Sequence, residues 1–126
     1  MVQRPIIGIT MGDPAGNGSE ISVKALDDPQ VYDRCRPIII GDACCMEKAV
    51  QLLGKEDEIK IHAIHDVKDA LFEFGTIDVY DMQLVDIKKH MSGKVSKMCG
   101  EAAFQYVVKV IELAMKHEID ATVTNA

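Results

Sequence analysis

The residues best suited to chemistry in this sequence stand together near its start, in Gly12-Asp13-Pro14-Ala15-Gly16-Asn17-Gly18-Ser19-Glu20. Closely spaced glycines let a backbone approach a ligand without interference from side chains. An apolar run from Pro5 to Thr10 precedes the segment and a helical pattern follows it. The predicted arrangement is therefore a strand, a turn and a helix whose first N–H groups are offered to an anion. That chemistry suits a phosphate or the edge of a cofactor, and Gly12, Asp13, Gly16 and Gly18 are the candidate cofactor-binding residues. The spacing is not the GxGxxG dinucleotide fingerprint, and no Gly-Lys-Ser/Thr follows as in a Walker loop. A tight turn without a ligand fits the same residues, with Asp13 stabilising the turn and Glu20 compensating the helix dipole.

Other reactive side chains are scattered. His62 and His65 have an i, i+3 spacing, but a strand end followed by a turn need not place both on one face. With His90 and His117 they form no recognisable ligand pattern, so no metal ligand and no catalytic residue is assigned within this chain. Cys44 and Cys45 are neighbours at a predicted helix start, where a thiol pKa can fall, but no base accompanies them and packing accounts for them. Cys35 and Cys99 stand apart, so there is neither a CxxC spacing nor a disulfide framework, and all four are read as reduced thiols. Lys94 and Ser96 could touch an anion, though a solvated lysine and a helix cap explain them more simply. Phe104 and Tyr106 are read as core or interface.

The elements that must position these residues alternate. Pro37 to Asp42 repeats the strand pattern and feeds a helix from about Ala43 to Leu53, which Gly54 stops. Ser19 or the residue before it is expected to cap the first helix, with Ile21, Ala25 and Leu26 on its inner face. Ile59 to Ile64 and Thr76 to Tyr80 are predicted strands, with Val67, Ala70, Leu71 and Phe74 sketching a short amphipathic helix between them. A long helix is predicted from Lys97 to Lys116, capped by Ser96 and burying Val107, Val110, Ile111 and Ala114. Ile119 to Thr124 has the composition of a last strand, whose carboxyl end leads into Asn125 and a functional crevice. The alternation predicts an α/β fold with a largely parallel sheet.

Composition narrows the function. The 126 residues carry 14 basic and 20 acidic side chains for a formal charge of −6, and the cations are dispersed, which argues against nucleic acid as partner. No apolar run reaches the roughly 20 residues of a membrane span. The start, Met1 to Pro5, lacks the pattern of a secretory signal, so a cytoplasmic location and no membrane association are expected.

The segment Ile9-Thr10-Met11-Gly12-Asp13-Pro14-Ala15-Gly16-x-Gly18-x-Glu20 resembles the opening signature of the 4-hydroxythreonine-4-phosphate dehydrogenases, a family that includes the 4-phosphorylated threonate and erythronate dehydrogenases. Ile39-Ile40-Gly41-Asp42, Gly93-Lys94-Val95-Ser96 with Gly100 and Ala103, and Ile119-Asp120-Ala121-x-Val123-Thr124 resemble later parts of that family in the same order. Ser19 stands where the family usually has proline, and Asn17 where it usually has an aliphatic residue. The resemblance implies the amino-terminal α/β portion, residues 1–126, of a larger two-domain enzyme with an isocitrate/isopropylmalate-dehydrogenase-like fold. It implies NAD as cofactor, a divalent metal (zinc, magnesium or cobalt), a homodimer, and a phosphorylated small-molecule substrate. In the whole enzyme the implied reaction is oxidation and decarboxylation of a 4-phosphorylated hydroxy acid, foremost 4-phosphooxy-L-threonine in pyridoxal phosphate synthesis. The family's metal histidines and substrate-binding His-Thr, Lys, Asn and Arg residues have no counterparts here, so this segment alone is expected to be inactive. The alternative is a non-catalytic α/β module that binds a phosphorylated or nucleotide ligand at the Gly12–Gly18 turn.

Overall fold

A computed structural model describes residues 3–85 and 96–125. Among these residues five strands form one sheet in the order β3-β4-β2-β1-β5, and every pairing is parallel. They are β1 (Ile6–Thr10), β2 (Arg36–Gly41), β3 (Lys60–Ile64), β4 (Thr76–Asp81) and β5 (Ala121–Val123). The central strand β2 carries the longest apolar run, and Ile38, Ile39 and Ile40 are fully buried, as expected of a strand covered on both faces.

Among the described residues four helices connect the strands: α1 (Gly18–Leu26), α2 (Pro29–Arg34), α3 (Ala43–Leu52) and α4 (Ser96–Met115). From β1 to β2 and from β2 to β3 the chain moves towards the β3 edge, whereas from β4 to β5 it moves the opposite way. Right-handed crossovers therefore place α1 and α3 on one face and α4 on the other. The packing agrees, since α1 lies against α3 while α4 lies on β1, β2 and β5. Gly8 makes the second contact close, because a Cβ there would come within 2.7 Å of Ile119 and 2.8 Å of Val110.

The strands and the two longest helices form where the sequence predicts them, but four local expectations are corrected. Helix α1 is preceded by Asn17 with no side-chain cap bond, and Ser19 lies inside the helix. Its buried face is Gly18, Ser22, Val23 and Leu26, while Ile21 and Ala25 are exposed. The Val67–Phe74 helix is only a 3-10 turn, Val67–Asp69. It ends there because the buried Asp78 carboxylate accepts from the Leu71 and Phe72 amides, and Phe72 takes φ 54°. Helix α2 is an element the sequence reading did not assign, although Asp28 caps it and Pro29 occupies its first position.

The inner stripe of α4 also differs. Cys99, Ala102, Tyr106, Val110 and Leu113 are buried, while Val107 and Ala114 are half-buried and Ile111 is 54% exposed. The expected Ser96 cap falls at the border of the described residues, and Lys94 and His90 lie outside them.

Candidate functional site

Thr10 ends β1, and Gly12 turns the chain with φ 84°, a conformation that favours glycine. The carboxylate of Asp13 accepts from the Ala15 amide at 2.8 Å, and the Gly16 amide donates to the Asp13 carbonyl at 2.8 Å. Asp13 thus builds the turn. Gly18 opens α1 directly over Met11: a Cβ at Gly18 would sit 2.0 Å from the Met11 carbonyl oxygen. Only glycine lets the helix start this close to the strand it follows.

The result is an exposed crest, Ala15, Gly16 and Asn17, with the first turn of α1 directly behind it. The amides of Gly18, Ser19 and Glu20 have no acceptor within the helix, so this end carries partial positive charge. Glu20 sits in that first turn, as expected of a residue that compensates the dipole. Between the crest and α3 lies a cavity of about 170 Å³, lined among others by Gly16, Ser19, Glu20, Cys45 and Lys48. It is smaller than the roughly 300 Å³ at which ligand pockets usually begin, so it forms one wall of a site, not a whole pocket.

A neighbouring contact adds three residues that the motif alone does not reveal. The Asn125 amide donates to Thr10 Oγ1 at 3.0 Å, and Asn125 Nδ2 donates to the Thr10 carbonyl and to Ser22 Oγ, each at 3.0 Å. Thr10 and Ser22 are buried. The side chain that follows β5 is thereby fixed beside Gly18, and the carboxyl ends of β1 and β5 share one crevice with the glycine turn. The sequence places Asn125 after the last strand, and its partners Thr10 and Ser22 were not foreseen.

A second crevice, between β2 and β4, is closed by the molecule itself. The chain leaves these adjacent strands towards opposite faces, the arrangement that opens a ligand crevice in many parallel sheets. Here Asp42, fully buried, accepts from Tyr106 Oη at 2.6 Å and from the Val85 amide at 2.7 Å. The Asp81 carboxylate accepts from the Ala43 amide at 3.1 Å. Both oxygens of Asp42 and one of Asp81 are thus engaged in holding structure together, whereas the glycine turn stays exposed.

His62 Nδ1 lies 2.8 Å from Asp78 Oδ1, whereas His65 is exposed in the loop beyond β3. Among the described residues no group of three or more His, Cys, Asp or Glu side chains is placed to hold a metal ion. Burial pushes the thiols of Cys44, Cys45 and Cys99 up from their ordinary values, which keeps them protonated and supports a packing role. No helix among the described residues is long and apolar enough to cross a membrane.

The family described as "Pyridoxal phosphate biosynthetic protein PdxA" matches residues 33–126. The chain belongs to this family. A Clostridium botulinum relative, provisionally assigned as a D-threonate 4-phosphate dehydrogenase, is 42% identical over 121 residues, covering 96% of this chain and 36% of its own length. One from Symbiobacterium thermophilum with the same provisional assignment is 40% identical over 124 residues, covering 98% and 36%. The crystal structure of a 4-hydroxythreonine-4-phosphate dehydrogenase from Burkholderia phymatum superimposes with a TM-score of 0.90 at 45% identity, over 98% of this chain and 36% of that one. The parallel α/β fold of this PdxA-family chain is thus that of the 4-hydroxythreonine-4-phosphate dehydrogenases, an isocitrate-dehydrogenase-like arrangement. The chain spans about a third of the length of the curated relatives it matches.

Proposed function

We propose that these residues form the amino-terminal α/β portion of a larger NAD-dependent, divalent-metal-dependent dehydrogenase, which oxidises and decarboxylates a 4-phosphorylated hydroxy acid. The observation that carries this reading is the position of the Gly12–Gly18 turn. It crests at the carboxyl end of β1, fronts the first turn of α1, and shares its crevice with Asn125. Backbone amides without side-chain cover suit the anionic edge of a dinucleotide. Gly12, Asp13, Gly16 and Gly18 are accordingly the residues that would hold the cofactor, the exposed Gly16 by its backbone and Gly12, Asp13 and Gly18 by holding the shape of the turn.

When bound, NAD supplies the hydride acceptor, while this chain contributes orientation and charge at its edge. Metal ligands and substrate-reading groups come from the remainder of the enzyme. What supports the substrate class is the pair of names among the relatives, D-threonate 4-phosphate and 4-hydroxythreonine-4-phosphate, which share a carbon chain phosphorylated at its fourth position. Of the two, 4-phosphooxy-L-threonine in pyridoxal phosphate synthesis is the substrate we assign, consistent with the family description. We further propose a cytoplasmic homodimer.

The test is an assay of NADH formation by the full-length protein with both phosphorylated acids, with and without a divalent cation. Metal-dependent turnover of 4-phosphooxy-L-threonine supports the reading. Turnover of D-threonate 4-phosphate alone reassigns the substrate, and absence of turnover with either compound rejects the dehydrogenase assignment.

A further inference from the structure

The side chain of Asn125 bridges the two elements between which the glycine turn is strung. Its Nδ2 donates to the Thr10 carbonyl, at the end of β1, and to Ser22 Oγ, in the second turn of α1, each at 3.0 Å. A carbonyl can only accept, so the amide is oriented without ambiguity, with its nitrogen towards Thr10. The Cβ of Asn125 also lies 3.5 Å from where a Cβ on Gly18 would stand, so the residue packs against the first turn of the helix. Ser22 is buried on the same helix face as Gly18, at the i, i+4 position.

This bridge stands in for a piece of sheet. On the β2 side the ladder runs through Thr10 paired with Ile40, and the Met11 amide donates to the Ile40 carbonyl at 2.9 Å. On the β5 side the pairing ends one residue earlier, at Ile9 with Val123. There the Asn125 side chain supplies the donor that a further strand residue would have given from its backbone, while the Asn125 amide takes Thr10 Oγ1. Thr10 is thus fastened on both sides at the point where the chain leaves the sheet. Residues 11–17 then lead to α1, whose start is set by the close approach of Gly18 to the Met11 carbonyl. Fixing both ends of the turn fixes the crest at Gly16, and a ligand that meets a preorganised crest loses less on binding.

We propose that Asn125 is a positioning residue for the cofactor: by bridging Thr10 and Ser22 it holds the Gly12–Gly18 turn in the shape that meets the dinucleotide's anionic edge, without touching the ligand itself. This rests on the cofactor reading given above. The role belongs to the donor on Nδ2 and not to the bulk of the side chain. Aspartate, equal in shape but presenting an oxygen to the Thr10 carbonyl, therefore fails as alanine does.

Asn125→Ala and Asn125→Asp in the full-length protein test it on two readouts, with Ser22→Ala as a milder variant that removes a single bond. The first readout needs no cofactor. Hydrogen exchange of the free protein, read by mass spectrometry on peptides spanning Gly12 to Ser19, is expected to quicken by about tenfold or more in both Asn125 variants, with β2 peptides unchanged. The second is steady-state kinetics: KM for NAD should rise by about fivefold or more while KM for the phosphorylated acid stays within about twofold. Ser22→Ala should move both readouts the same way by less, and add little to Asn125→Ala, because the two share a bond. Unchanged exchange across the turn in Asn125→Ala overturns the proposal, as does an Asn125→Asp protein that behaves like wild type. Lower stability with KM for NAD unchanged also overturns it, since Asn125 would then only fasten the fold. If neither Asn125 variant folds, Ser22→Ala decides by the same criteria. Gly16→Val measured alongside separates the two readings. A raised KM for NAD in Gly16→Val, with the Asn125 variants at wild-type values, sinks the positioning role alone. KM for NAD unchanged in all of them, or no NADH formation by the wild-type protein, sinks the cofactor reading and the proposal with it.

Discussion

The hydroxyl of Tyr106 donates to Oδ1 of Asp42 at 2.6 Å, joining the middle of α4 to the residue that follows β2, and both side chains are fully buried. The Val85 amide occupies the other carboxylate oxygen, so each oxygen of Asp42 has its own donor. Replacing Tyr106 with Phe would strip one oxygen of its partner without creating a large cavity. Urea unfolding of Tyr106→Phe should show a loss of about 1–3 kcal/mol, the range for an orphaned buried polar group. Combining it with Asp42→Ala should cost less than the sum of the two single changes. Strict additivity would show that the pair does not act as a unit.

The two buried tyrosines also predict how the fold fails in base. Burial, reinforced by Asp42, pushes Tyr106 well above the usual value of 10.0. Tyr32 is raised for the same first reason, with Asp78 adding to it. The folded protein therefore holds these protons more tightly than the unfolded chain does. Their contribution is fully present below pH 10, and stability falls as pH rises beyond it, because the unfolded state then binds fewer protons. Phenolate absorbance from Tyr32 and Tyr106 should accordingly appear together with loss of far-ultraviolet ellipticity. In the Tyr32→Phe and Tyr106→Phe variants, phenolate signal that is lost yet preceded unfolding would contradict the assignment.

Two glycines should respond in opposite senses to alanine. At Gly18 the new methyl meets the Met11 carbonyl at 2.0 Å, a backbone clash that no side-chain rotation relieves, and a loss of about 1–3 kcal/mol or more is expected. At Gly100, exposed within α4, the methyl meets nothing within 4 Å. Alanine there should add about 0.5–1 kcal/mol through helix propensity. Chemical denaturation of both variants measures the contrast, and a Gly18→Ala protein as stable as wild type would contradict the close approach of α1 to β1.

The contrast between legible and hidden features has a physical origin. Ile38-Ile39-Ile40 between a proline and a glycine announces a buried strand locally, and the parallel order follows from alternation with helices. Helix α4 was equally legible as a helix, but not its inward face. Phe104, Val107, Val108, Val110, Ile111, Ala114 and Met115 are apolar almost all round, so periodicity cannot select a side. The choice is made by Gly8, whose missing side chain admits Val110, and by Asp42, which anchors Tyr106. The helix expected after Val67 fails because Asp78, on the strand that follows, takes the Leu71 and Phe72 amides. In the candidate site, the turn was written in its glycines. The Asn125 contacts with Thr10 and Ser22 join residues more than 100 positions apart, and no local pattern encodes them.

The central claim is that the Gly12–Gly18 turn receives the cofactor's edge in the full-length enzyme. Gly16 is its exposed crest, and Gly16→Val would set a branched side chain where a dinucleotide should approach. Steady-state kinetics of that variant test the claim most directly. The account predicts that KM for NAD rises by about tenfold or more while KM for the phosphorylated acid stays near wild type, the signature of binding lost at one ligand only. An unchanged KM for NAD in a folded, active Gly16→Val enzyme would contradict it.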